Sequence, residues 1–153
     1  MENNKMSFHV CGAIRLCALR YPKDFKVKSI LRKQLGTPIR INASEKTYES
    51  SIIPKGDEGA LCYDIWENPD KTATNSYTIS IFGDLGNYND IDEIEQWLKK
   101  GLLSEYFFIG DGIIYIRYGC CVEQKEIILK LSSDIDDNKR FVNIIKRINI
   151  MEQ

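Results

Sequence analysis

Histidine occurs once in the 153 residues, at His9, and proline only four times. A single histidine leaves Ser-His nucleophiles, His-rich zinc sites and imidazole acid-base catalysis dependent on one position. No apolar run exceeds four residues, as at Tyr106–Ile109 and Ile113–Ile116. A membrane-spanning helix needs about 20 such residues, so none is expected. Met1–Lys5 is polar with no apolar core behind it, so no secretory signal is expected. Alanine and valine are scarce (5 and 4) beside 22 isoleucines, and lysine outnumbers arginine 14 to 7. Ile, Lys and Asn have AT-rich codons, which points to the genome of a low-GC bacterium, or of a phage or mobile element within one.

Five cysteines, Cys11, Cys17, Cys62, Cys120 and Cys121, cannot all pair within one chain. The adjacent Cys120 and Cys121 would close a strained ring. Reduced thiols in a cytoplasmic protein are therefore expected. The chain is 43% apolar and 28% charged, which fits a soluble globular protein and not a disordered segment or a coiled coil. At 153 residues it reads as one α+β domain, with residues 1–6 disordered and 43–59 a long surface loop.

Net charge is −1, but its layout is uneven. From Arg15 to Arg40 eight bases face one acid, Asp24, and from Ile41 to Leu98 twelve acids face three bases. Two such lobes either neutralise each other inside the fold or present opposite faces to partners, and the near-zero total favours partial neutralisation.

Periodicity supplies the elements. Residues 7–19 read as a buried strand interrupted at Gly12, and Lys23–Leu35 as a helix carrying Val27, Ile30, Leu31 and Leu35 on one face, stopped by Gly36. Thr37–Asn42 reads as a short edge strand, with another around Thr47–Ile53. Ala60–Glu67 and Tyr77–Phe82 form a strand pair, and Gly83–Asn89 a turn. Asp90 three residues before Glu93 is a capping box that opens a helix with Ile91, Ile94, Trp97 and Leu98 inward and Gly101 at its end. Tyr106–Tyr118 is strand-like around Gly110-Asp111-Gly112, as a hairpin or as one bulged strand. Lys125–Leu131 is a strand. Asp137–Asn149 reads as a third helix, since Phe141, Ile144, Ile145 and Ile148 follow the i, i+3, i+4, i+7 rule. The order β-α-β-(loop)-β-β-α-β-β-α predicts an antiparallel or mixed sheet of about 5–7 strands with about three helices mainly on one face.

Chemistry-bearing patterns are few. His9 and Cys11 share a strand face, the only basis for a thiol-dependent enzyme; a core or strand-edge histidine beside a structural thiol explains them as well. The cysteine spacings match no zinc hook. Asp90, Asp92, Glu93 and Glu95, and then Asp134, Asp136 and Asp137, precede expected helices and suit their positive ends. The run D-I-D-D-N lacks the glycine and closing glutamate of a calcium loop. Gly83-Asp84-Leu85-Gly86 stands between a strand and a helix, but the surrounding acids would repel phosphate. No catalytic residue, metal or cofactor is assigned.

Two surfaces remain. Lys23, Lys26, Lys28, Arg32, Lys33 and Arg40 form a candidate nucleic-acid or nucleotide-binding segment, against the plain reading of a solvated helix face. Tyr48, Asp64, Trp66, Glu67, Asp84 and Tyr88 combine aromatics with acids, as a site for a basic protein partner would. Strand alternation puts Leu61, Tyr63 and Ile65 in the core and exposes Trp66 unless another element covers it. The reading favoured is a small non-catalytic cytoplasmic protein that binds another protein: an inhibitor, immunity or anti-defence protein of a mobile element. Homo-oligomerisation is open, a membrane is not expected, and no run of residues resembles a known family.

Overall fold

The computed structural model describes residues 6–18, 26–38, 52–67, 75–104 and 107–150. Six strands and two helices follow in the order β1 (Ser7–Ala18), α1 (Val27–Leu35), β2 (Cys62–Glu67), β3 (Asn75–Gly86), α2 (Ile91–Gly101), β4 (Phe107–Gly119), β5 (Gln124–Ile135) and β6 (Phe141–Asn149). The strands form one sheet, ordered β2-β3-β1-β4-β5-β6, with every pairing antiparallel. The class is α+β, with two helices among the described residues where about three were expected.

Alternation along the strands sorts the faces. Phe8, Val10, Ile14 and Leu16 of β1, Ile79 and Ile81 of β3, Ile114 and Ile116 of β4, and Leu129 of β5 are buried beneath the helices. Helix α1 contributes Val27, Leu31 and Leu35, and α2 contributes Ile94, Trp97 and Leu98, the faces their spacing predicts. The helices are bound to each other by polar contacts: Trp97 Nε1 donates to the Leu35 carbonyl at 2.8 Å, and Gln34 Nε2 to that of Leu103 at 2.6 Å. Helix α2 starts where Asp90 accepts from the Glu93 amide at 3.1 Å, half of the expected box. The Glu93 carboxylate turns instead to the Tyr88 hydroxyl, 2.7 Å away.

Gly12 does not interrupt β1. Its missing Cβ lets β4 approach, since a methyl there would lie 2.2 Å from the Ile113 oxygen. The Gly110-Asp111-Gly112 stretch is a bulge within one long strand: the register against β1 shifts between Arg15 and Leu16, so Arg15 faces Asp111 and Leu16 faces Ile109.

Three expectations are corrected. The segment read as a third helix is β6. Its four apolar positions satisfy a helical repeat, but Val142, Ile144, Ile145 and Ile148 are β-branched and pack well on a pleated surface. Asp136, read as a helix-capping acid, instead accepts from the amides of Asn138 and Arg140, both at 2.9 Å, and closes the β5–β6 hairpin. Gly83–Gly86, read as a turn, continues β3 against Ser7–Val10 and carries Asp84 onto the sheet. The strand expected at Thr37–Asn42 lies largely outside the described residues, as do Thr47–Ser51 and most of the loop between β2 and β3. Within 52–61, Glu58 bridges to Gly86 and Lys55 to Ala60. Among the described residues no helix is long and apolar enough to cross a membrane.

Candidate functional site

Both helices lie against one face of the sheet, and among the described residues no element covers the other. The strand registers order the side chains of that open face into rows across it. One row runs Trp66, Thr78, Arg15, Asp111; the next runs Asp64, Ser80, Ala13, Ile113, Lys130, Lys146. A third runs Cys62, Phe82, Cys11, Tyr115, Ile128, Ile148, and a fourth Asp84, His9, Arg117, Glu126. Trp66 is 60% exposed, Ile113 52% and Phe82 40%. Small residues between them leave a shallow hollow of about 370 Å³ lined by Ala13, Arg15, Thr78, Asp111, Gly112 and Ile113.

Three pairs of polar groups on the face meet across strands. Arg15 Nε lies 3.0 Å from Asp111 Oδ1, where the bulge brings the two together. His9 Nδ1 meets Asp84 Oδ1 at 2.8 Å. The Tyr115 hydroxyl donates to Glu126 Oε1 at 2.8 Å, and that bond is the chief reason its pKa stands above the ordinary tyrosine value. These three pairs stand around the apolar side chains, the arrangement of a polar rim about an apolar centre, and Asp64, Lys130 and Lys146 are exposed on the same face.

The acidic-aromatic set divides. Asp64, Trp66 and Asp84 are on the open face. Glu67 points to the helix side, where its carboxylate lies 3.9 Å from Lys28 Nζ and joins the basic and acidic stretches of the chain. Tyr88 is buried against Phe8, ring centroids 5.2 Å apart, and its hydroxyl is spent on Glu93 and the Asp90 carbonyl. Burial and the contact with Glu93 push its pKa upward. Tyr48 lies outside the described residues. The structure adds Phe82, Ile113 and Tyr115 to the set. Strand alternation marks Phe82 opposite in face to Ile79 and Ile81, but inside the apolar run Ile113–Ile116 it cannot say which side faces water.

The basic segment sits elsewhere. Lys26, Arg32 and Lys33 are exposed on α1, on the helix side of the sheet, and Lys28 is half-buried beside Glu67. Arg32 and Lys33 occupy the last turn, where cations suit the negative end of the helix dipole. Lys23 and Arg40 lie outside the described residues.

His9 and Cys11 do share the open face, as alternation requires. Two strand residues separate their backbone positions by about 7 Å, and the imidazole nitrogen nearest a carboxylate is taken by Asp84. Both side chains stand on an exposed surface without a water-excluding cleft. All five cysteines are free. At the β4–β5 turn, backbone amides of Val122 and then Glu123 hold the Cys120 thiol below its usual pKa. Among the described residues no cluster of three metal-ligating side chains forms.

Compared with known proteins, the chain matches no family model, no curated sequence and no solved structure.

Proposed function

We propose that this chain is a non-catalytic binding protein that engages another protein through its open sheet face. The class that suits it is an inhibitor, immunity or anti-defence protein of a mobile element in a low-GC bacterium. One observation carries the reading: Trp66, Phe82 and Ile113 stand half-exposed on a sheet face that no described element covers, with charged side chains around them. Isolated exposed hydrophobics are ordinary, but several on one face ringed by polar groups mark an interaction surface. Trp is also the residue most enriched among energetically dominant interface positions. Asp64 and Asp84, near Trp66 and Phe82, favour a partner with basic groups at the matching positions.

Affinity capture from a low-GC bacterial lysate, with and without nuclease, tests this. The expected result is a near-stoichiometric protein that survives nuclease and is lost with Trp66→Ala or Ile113→Ser. Equal capture by those variants would place the binding surface elsewhere.

A nucleic-acid role remains the second reading, favoured by the exposure of Lys26, Arg32 and Lys33 along α1. It requires nucleic acid in the capture, lost with salt and with charge reversal at those three residues.

A further inference from the structure

Lys130 of β5 and Lys146 of β6 stand directly opposite each other in the strand register, both exposed on the open face. Like charges in that position destabilise a sheet. Lysine on an edge strand guards against unwanted pairing, which accounts for Lys146 but not for Lys130 on the interior strand β5. Their neighbours on the face supply no counter-charge. Ile113 lies across from Lys130 on β4, Ile128 and Ser132 flank it along β5, and Ile144 and Ile148 flank Lys146. Among the described residues neither ammonium has an ion pair. The nearest acids along these strands are engaged elsewhere: Glu126 accepts from Tyr115, Asp111 meets Arg15, and Asp134 accepts from the Ile135 amide at 2.8 Å.

Given the open-face reading, on which this rests, we propose that Lys130 and Lys146 are a carboxylate-binding pair to which the docking protein brings an acidic segment. Facing strand residues are about 5 Å apart at the backbone, so the two ammoniums can share one carboxylate or take two neighbouring ones. Each then gains the counter-charge that the chain itself does not provide. The isoleucines around them exclude water once the partner is seated, and a charge pair in a drier site attracts more strongly.

The layout of charge over the rest of the face favours an acidic protein over a nucleic acid. Asp64 stands in the same row as the two lysines, five strand spacings from Lys146, which is about 24 Å. Asp84 and Glu126 stand in another row of the same face. Those acids would repel a continuous phosphate backbone laid across the sheet. A protein can match both signs, with a base at Asp64 and acids at the lysines. Opposite signs at the two ends of one row also fix the direction in which that partner lies.

Titration of the isotope-labelled full chain with a hexaglutamate peptide at low salt, followed by amide chemical shifts, tests the proposal. Saturable shifts centred on Lys130, Lys146 and Ile113 are expected, lost as salt is added. Lys130→Glu and Lys146→Glu should each weaken binding about tenfold, since a repulsion replaces an attraction, whereas Lys130→Arg should bind as wild type does. Both side chains are exposed, so the variants keep the fold, which the same spectra check. The absence of shifts at these residues, shifts centred instead on Lys26, Arg32 and Lys33 of α1, or equal binding by the glutamate variants would overturn the proposal. So would tighter binding at the same residues by a single-stranded oligonucleotide of equal charge. The open-face reading fails separately, on capture unchanged by Trp66→Ala; capture lost with that variant keeps the reading even where the peptide ignores the lysines.

Discussion

Arg147 of β6 and Glu95 of α2 meet across the helix–sheet interface, with Nε 2.8 Å from Oε1, while the Arg147 Nη2 lies 2.8 Å from Asp92. The bond to Glu95 is the chief reason the arginine pKa stands above its ordinary value. At the other end of β6 the buried Asn143 donates to the Lys99 carbonyl at 3.1 Å. The edge strand is thus tied to α2 at both ends. Arg147→Ala is expected to lower stability by about 1 kcal/mol, a modest figure because the guanidinium is partly exposed and screened. Arg147→Lys should recover little of it, since an ammonium cannot reproduce the two-pronged geometry. Urea midpoints of the three proteins check this.

Gly12→Ala is expected to destabilise the sheet centre. The added methyl would lie 2.2 Å from the Ile113 oxygen and 2.6 Å from the Ile114 Cα, both backbone atoms of the neighbouring strand. Overpacking of this kind costs about 1–3 kcal/mol. The gain from a stiffer unfolded chain is about 0.4–1 kcal/mol, too small to offset it. A urea midpoint equal to or above that of wild type would contradict the close approach of β1 and β4.

Trp97→Phe keeps the ring between the helices but removes the donor to the Leu35 carbonyl. A buried carbonyl left without its partner costs about 1–3 kcal/mol. Thermal unfolding should show that loss, and Trp97→Leu should show more.

Asp136 supplies a pH signature. The backbone amides of Arg140 and then Asn138 hold its carboxyl below the ordinary carboxylate value of 3.8. A folded-state pKa below the unfolded one adds stability that is complete above the unfolded value and is lost as pH falls through the folded one. Wild type should exceed Asp136→Asn in urea midpoint near neutral pH, and the gap should narrow as the pH falls below the ordinary carboxylate value. A gap unchanged by acid would show that the turn does not depend on the ionised carboxylate.

That same turn marks where the chain could be read from its residues and where it could not. Both helices were legible because Val27, Leu31 and Leu35, and Ile94, Trp97 and Leu98, repeat at helical spacing, and because Asp90 announces a cap. Alternation with Tyr63 and Ile65 set the face of Trp66, but not whether another element would cover it; in the structure it is 60% exposed. β6 was not legible, because Phe141, Ile144, Ile145 and Ile148 satisfy a helical repeat as well as a pleated strand. Pairing with β5 across the Asp136 clamp decides between them, and that pairing is a long-range property. The open face depends on strand order, and local pattern does not specify which strands become neighbours. The basic stretch was visible as charge, but only the fold sets α1 behind the sheet and leaves Glu67 to Lys28.

Alkylation of Cys11 tests the open face as a binding surface most directly. Cys11 stands exposed beside Phe82 and Tyr115 on that face, whereas Cys121 is exposed at the β4–β5 turn. A small thiol reagent applied to the purified chain and to the complex recovered from lysate should modify Cys121 equally in both. Cys11 should react in the free chain and be protected in the complex. Equal modification of Cys11 in the two states would contradict docking on the open face.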